Sequence, residues 1–306
     1  MIKKFFFNNN KKFIFSFLFL FFIFKYENND VLKICLCTIG KKENLYIREF
    51  VSYYRNYGVD KIYIYDNNDN NDEKFESILK DYIQSDHVEI IDIRNKEKPQ
   101  IRAIQDCINK NYNKYNWLII YDIDEFIYLK NFKNIKDYLK QKKFMKCQNI
   151  QLNHFSHTDN NLLYYNNKSI KERFRESKRD KFGTLKSILK GNIKIDINGD
   201  IHNINNSLIS CNGFGEFNKN EKYFIFTKNP DYTFYYIDHY PFKSTIEFIK
   251  KINKGSVYSG NATFSKYRRI KNYFKYNALT LEKINLIEKY TKLNLSKYRK
   301  KLGINT

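Results

Sequence analysis

Trp117-Leu118-Ile119-Ile120-Tyr121-Asp122-Ile123-Asp124-Glu125-Phe126 decides the fold. Five apolar residues in a row are the mark of a central strand covered on both faces. The run ends abruptly in three carboxylates, and unpaired charge at the end of a buried strand is costly. Working back from it, Lys33 to Thr38 and Lys61 to Tyr65 read as earlier strands and Val88 to Ile93 as a third. Between them Ile47, Phe50, Val51 and Tyr54 recur at helical spacing, with Gly58 where a helix end favours a left-handed residue. Phe75, Ile78, Leu79, Tyr82 and Ile83 signal a second helix, and Pro99 suits the first turn of a third, carrying Ile101, Ile104 and Ile108. The alternation specifies an α/β protein with a parallel sheet.

Such sheets bind ligands outside the carboxyl ends of their strands. Those ends are Thr38 to Gly40, Asp66 to Asn68, Ile93 to Arg94 and Asp122 to Glu125. Downstream, Phe132 to Phe144 reads as helix and Asn149 to His154 as strand. Lys171 to Lys190 reads as a basic, mobile stretch, and Lys266 to Leu302 as mostly basic helix packed by its Tyr, Ile and Leu residues. The organisation expected is a segment 1–30, a catalytic domain 31–260 and a helical tail 261–306.

With 306 residues, 42% hydrophobic, the chain can bury one sizeable core. Its formal charge of +22 would attract phosphates, acidic lipids or nucleic acid, but the wealth of Lys, Asn, Ile, Tyr and Phe has the pattern of A/T-rich codons, and no nucleic-acid partner is called for. The five cysteines form no CxxC pair, which excludes a zinc cluster of the usual spacing; Cys35 and Cys37 are expected as small buried hydrophobes in the first strand. Phe13 to Phe24 is almost wholly apolar and follows Lys3, Lys4, Lys11 and Lys12, the pattern of a membrane-targeting segment. Retained lysines would place the rest across the membrane, as in a type II anchored enzyme; the alternative is a cytoplasmic protein. Asn167, Asn205, Asn261 and Asn294 match the N-glycosylation pattern, as a luminal chain would allow.

Two aspartates one residue apart at a strand end can face one cleft, and such oxygens favour a hard divalent cation, Mn²⁺ or Mg²⁺. A cation there leaves positions open for a diphosphate and neutralises charge on a departing nucleotide. The block Glu43 to Val51, then Tyr57-Gly58-Val59-Asp60-Lys61-Ile62-Tyr63-Ile64-Tyr65-Asp66-Asn67-Asn68, then Trp117 to Phe126, resembles glycosyltransferases of the family 2 and family 92 type. Asp159 to Tyr165, Glu172-Arg173-Phe174, Lys186-Ser187-Ile188, His202, Cys211 to Gly215, and His239-Tyr240 through Lys243-Ser244, Glu247-Phe248 and Gly255 resemble that family's later blocks.

The resemblance implies a GT-A-like fold, a nucleotide-sugar donor, a glycan or glycolipid acceptor, a divalent cation and, for the family 92 type, inversion at the anomeric carbon. By position it puts Thr38, Asp66 and Asn68 at the donor, Asp122 at the ribose and cation, and Asp124 on the cation, with His239 and then His202 as further ligands. Lys186 and Lys243 would meet the diphosphate. An inverting transfer needs a carboxylate to take the acceptor's proton, for which Asp159 is the first candidate and Glu125 the second. The competing reading is a metal-dependent phosphodiesterase or nuclease acting on a polyanion through the same carboxylates.

Overall fold

The computed structural model describes residues 31–178, 182–197, 208–217, 226–228, 231–254 and 262–304. The apolar segment 13–24, His202, Gly255, Asn205 and Asn261 lie outside them. Lys33–Thr306 clusters as one compact unit.

Four strands foreseen from apolar runs form as expected: β1 (Ile34–Gly40), β2 (Lys61–Asp66), β3 (Val88–Asp92) and β4 (Trp117–Ile120). They pair in parallel in the order β3-β2-β1-β4. Helix α1 (Asn44–Asn56) buries Ile47, Phe50, Val51 and Tyr54, and ends before Gly58 at φ +95°, a conformation that only glycine adopts without strain. The second helix of the sequence is two short pieces, α2 (Phe75–Ile78) and α3 (Lys80–Gln84), broken at Leu79. Helix α4 (Pro99–Asn111) starts at its proline and lays Ala103, Ile104, Cys107 and Ile108 on Cys35, Cys37, Leu118 and Ile120.

Beyond β4 the chain turns through residues 121–124 into β5 (Glu125–Leu129), a strand the sequence reading did not separate from β4. A short α5 (Ile135–Leu139) and a single 3₁₀ turn (Lys142–Phe144) replace the longer helix expected over 132–144. Then come β6 (Asn149–Ser156), α6 (Ile170–Arg173), β7 (Phe182–Lys190), β8 (Ser210–Asn212), β9 (Phe226–Lys228) and β10 (Tyr235–His239). The stretch read as basic and mobile therefore contains β7, which is antiparallel to both β4 and β6. The path continues β4-β7-β6-β10-β5. Four residues join β4 to β5 although three strands lie between them in this order, so this half of the sheet curls until the turn 121–124 can join its edge strand β5 to the interior strand β4.

Helices α7 (Thr245–Asn253), α8 (Ala262–Tyr276), α9 (Leu281–Thr291) and α10 (Ser296–Lys301) follow. Phe242, Phe248, Ile252, Ile270, Tyr273, Ile284, Ile287 and Tyr298 bury a second core among them. Two disulfides tie loops to the sheet: Cys37–Cys107 joins β1 to α4, and Cys147–Cys211 joins the approach to β6 to β8. Cys37 is thus cross-linked rather than a free apolar residue, whereas Cys35 is free and buried as expected.

Candidate active site

A cleft of about 610 Å³ opens at the carboxyl ends of β1, β2 and β4. Ile39, Gly40 and Lys41 form one wall, Asn67, Asn68 and Asp69 the next, and Asn95 to Gln100 a third. Asp122, Ile123 and Asp124 form the floor with His239, while Lys251 near the end of the helix Thr245–Asn253, Lys254 just beyond it and Arg269 of the helix Ala262–Tyr276 close the far side. Gly40 is required by space. A Cβ there would lie 2.6 Å from Ile123 Cδ1 and 2.6 Å from the buried Phe75 ring.

The bridging turn presents its carboxylates differently. Asp122 is about a third exposed, and Lys186 Nζ donates to its Oδ2 at 2.7 Å. Burial pushes its carboxyl up, with Lys186 pulling the other way. Asp124 is buried; Lys251 Nζ donates to its Oδ2 at 2.9 Å, and His239 Nε2 lies 3.8 Å from its Oδ1. Burial is the largest influence and opposes its ionisation, but Lys251, His239 and Lys243 together outweigh it and hold the carboxyl well below the usual range. Glu125 is 1% exposed beneath the floor. Its Oε1 lies 3.0 Å from His154 Nε2 and 3.2 Å from Lys186 Nζ, and its Oε2 accepts the Asp122 backbone N–H at 2.9 Å. Burial opposes ionisation there too, and Lys186 and His154 together overcome it.

His239 stacks on His154 with ring centroids 4.4 Å apart. Burial, with the neighbouring His154, pushes the His239 imidazole down to about 3, so it is neutral near pH 7 and keeps a lone pair. Asp124, Glu125 and His239 each offer a ligand atom, all within 4.8 Å of one another. A carboxylate and a neutral imidazole facing the cleft suit Mn²⁺ or Mg²⁺, so Asp124 and His239 fit the cation that the resemblance implies, whereas Glu125 has both oxygens taken beneath the floor by His154, Lys186 and the Asp122 N–H. Asp122, expected in the ligand set, stands beside this trio rather than in it.

Several predicted donor contacts act one step behind the cleft wall. Asp66 is fully buried; its Oδ1 accepts the Asn68 N–H at 2.8 Å and its Oδ2 pairs with Arg94, which shapes the loop holding Asn68. Asn68 does line the cleft, and its Oδ1 accepts the Lys42 N–H at 2.6 Å. Thr38 is buried inside β1 below the lining residues. Lys186 is 4% exposed, its amine taken by Asp122 and Glu125. Lys243 is buried against Glu43 at 2.9 Å and the Tyr46 ring at 3.6 Å. Neither lysine reaches the cleft, because each neutralises a buried carboxylate. The cations that line the cleft are instead Lys41, Lys96, Lys98, Lys251, Lys254 and Arg269, which nothing local distinguishes in so lysine-rich a chain.

The first candidate base is not brought to the cleft. Asp159 is 1% exposed; Tyr273 donates to its Oδ2, Lys283 Nζ pairs with that oxygen at 2.7 Å, and its Oδ1 accepts the Asn161 N–H at 2.9 Å. It ties the loop after β6 to α8 and α9. Glu125, the second candidate, is closed off below Asp122 by its own partners.

The family model for glycosyltransferase family 92 matches residues 31–205, more than half of the chain, with Asp122 and Asp124 inside the match and His239 outside it. The chain belongs to glycosyltransferase family 92. Among curated relatives, a family 92 protein of Ricinus communis is 26% identical over 110 residues, which are 36% of this chain and 20% of that protein. Another, from Oryza sativa subsp. japonica, is 26% identical over 116 residues, 38% of this chain and 20% of that protein. The match thus spans about a fifth of the length of these family 92 relatives. Among solved structures, the mannosyltransferase PcManGT of Pyrobaculum calidifontis, in complex with GDP-Man and Mn²⁺, has 8% identity and a TM-score of 0.35 over 89% of this chain and 83% of that one. TarS residues 1–349 of S. aureus in complex with UDP has 12% identity and a TM-score of 0.31 over 41% and 36%.

Proposed function

We propose that this family 92 chain is a divalent-cation-dependent transferase with a GT-A-like sheet, moving a sugar from a nucleotide-sugar donor to a hydroxyl of a glycan or glycolipid. The observation that carries it is Asp124, held ionised beside the neutral imidazole of His239 on the floor of a cleft built from the ends of three parallel strands. Sheets of this kind receive nucleotides there. Gly40, Asn67, Asn68 and Pro99 offer the walls for a nucleoside, and Lys251, Lys254 and Arg269 face the floor, where a diphosphate would lie. Asp124 and His239 would hold Mn²⁺ or Mg²⁺, with Asp122 beside them. The bound cation would supply Lewis-acid stabilisation of the departing diphosphate. Family membership favours this reading over the phosphodiesterase. The inverting course belongs to the same proposal and rests on the family resemblance.

A luminal, type II placement is also proposed. Two disulfides fit an oxidising compartment, and Asn167 and Asn294, both exposed, stand ready as glycosylation acceptors. Among the described residues no helix is long and apolar enough to cross a membrane, which leaves the anchor to segment 13–24. Protease protection in microsomes tests it, and complete digestion without detergent refutes it.

A donor-hydrolysis screen with Mn²⁺ across the common nucleotide sugars tests the activity, with Asp124→Asn as the control expected to lose it. If no donor is turned over and calorimetry detects no nucleotide, the transferase reading is wrong.

A further inference from the structure

Among the described residues, each of the four carboxylates lining the cleft has a lysine partner. Asp69 has Lys41, Glu43 has Lys243 and Lys254, Asp122 has Lys186, and Asp124 has Lys251. Lys186 and Lys243 are buried beneath the surface they neutralise. Lys251 differs. Its side chain is 36% exposed, it lines the cleft, and its Nζ reaches Asp124 Oδ2 at 2.9 Å from the last turns of α7, with the Pro241 carbonyl as a second acceptor at 3.0 Å.

The ammonium therefore sits on one oxygen of the carboxylate whose other oxygen faces His239. A divalent cation on Asp124 and His239 would meet this charge at close range. Like charges sharing one carboxylate repel, and the lysine, being on a flexible stem and partly exposed, is the one that can leave. A diphosphate above the floor offers it a new anionic partner. An ammonium that must leave for the cation to bind, and that the diphosphate stabilises once it has left, couples the two ligands.

We propose that Lys251 is an exchangeable counter-ion. It neutralises Asp124 while the cleft is without donor and transfers to the diphosphate when donor and cation bind, so that each of these two ligands favours the other. This rests on the cation-dependent transferase reading above.

The test follows Mn²⁺ bound to the full chain by equilibrium dialysis, with Mn²⁺ alone and with inorganic pyrophosphate as the diphosphate probe, protein-free controls accounting for the Mn²⁺–pyrophosphate complex in solution. Wild type should bind Mn²⁺ weakly alone and about tenfold or more tightly with pyrophosphate, within the span usual for coupled sites. Lys251→Met should bind Mn²⁺ alone about tenfold more tightly than wild type, and the gain from pyrophosphate should shrink to what direct contact between cation and diphosphate supplies. A misfolded variant would not gain affinity, and Lys251→Gln provides a second substitution with the same expectation. Lys250→Met removes an exposed charge of the same helix that does not line the cleft, and should leave affinity for Mn²⁺ alone unchanged. The proposal is overturned if both Lys251 variants bind Mn²⁺ alone no better than wild type, or if Lys250→Met tightens it equally. Absence of Mn²⁺ binding in every protein, with and without pyrophosphate, would overturn the cation-dependent reading along with it.

Discussion

Replacing Lys186 by Met would remove the charge that neutralises the floor of the cleft from below. Its Nζ lies 2.7 Å from Asp122 and 3.2 Å from Glu125, and it is 4% exposed. At an effective dielectric of about 20 these separations correspond to gross attractions of about 6 and about 5 kcal/mol, most of which offsets the desolvation of three charges. The measurable loss is set by what Glu125 does afterwards. Left without the ammonium, a carboxylate this buried takes up a proton. Forcing that at pH 7 on a group with an ordinary value of 4.5 costs about 3 kcal/mol, at about 1.4 kcal/mol per pH unit.

The sign follows from the two folded states. In the wild type the folded value of Glu125 is depressed, so its contribution is fully present above the unfolded value of 4.5 and is lost only as pH falls below it. In Lys186→Met the folded value is raised, so stability falls as pH climbs from 4.5 to 7. The penalty should therefore grow by about 2 to 3 kcal/mol between pH 5 and pH 7, a drop in Tm of about 6 to 12 °C at pH 7 for a unit of this size. Differential scanning fluorimetry at both pH values measures it, with Lys186→Met/Glu125→Gln expected to erase the pH dependence. A Tm within 2 °C of wild type at pH 7, or an equal drop at both pH values, would show that Lys186 does not neutralise Glu125; those thresholds are about a third of the expected shift.

Acidification should weaken the fold through His239: its folded value is depressed from 6.5 to about 3, so stability is lost as pH falls through this window, and His239→Gln should flatten that part of a Tm-against-pH curve. Gly40→Ala forces Ile123 and Phe75 aside, at a cost of about 1 to 3 kcal/mol; because Ile123 sits between Asp122 and Asp124, nucleotide affinity measured by calorimetry should fall about tenfold. Cys147→Ser/Cys211→Ser opens a cross-link spanning 64 residues and should lower unfolding free energy by about 4 kcal/mol in the chain-entropy view, measured by urea unfolding, with dithiothreitol lowering wild type further because it also opens Cys37–Cys107.

The half of the sheet from β1 to β4 was legible because its strands are apolar runs and its helices repeat Ile, Phe and Tyr at helical spacing. Asp122 and Asp124 were legible because charge erupts directly from such a run. Strand β7 was hidden by its own function. Lys186 and Lys190 mask the alternation of a strand that is buried over 185–189, and the carboxylates that make Lys186 tolerable there lie about sixty residues earlier in the chain. No local pattern could announce that partnership. The same holds for Lys251, ordinary on its helix until folding sets it against Asp124, and for the pairing of Cys37 with Cys107 across 70 residues.

The knot of Asp159, Tyr273, Lys283 and Asn277 warns against a familiar shortcut in enzymology. A protein with Asp159 replaced by Ala would leave the Lys283 ammonium stranded in the interior and loosen α8 and α9 from the loop after β6. Its silence in an assay would imitate the loss of a proton acceptor while reporting a melted scaffold. The same knot means that the first 260 residues cannot be borrowed as a cassette for fusion or shuffling, since the counter-charge to their own buried aspartate is encoded beyond the cut.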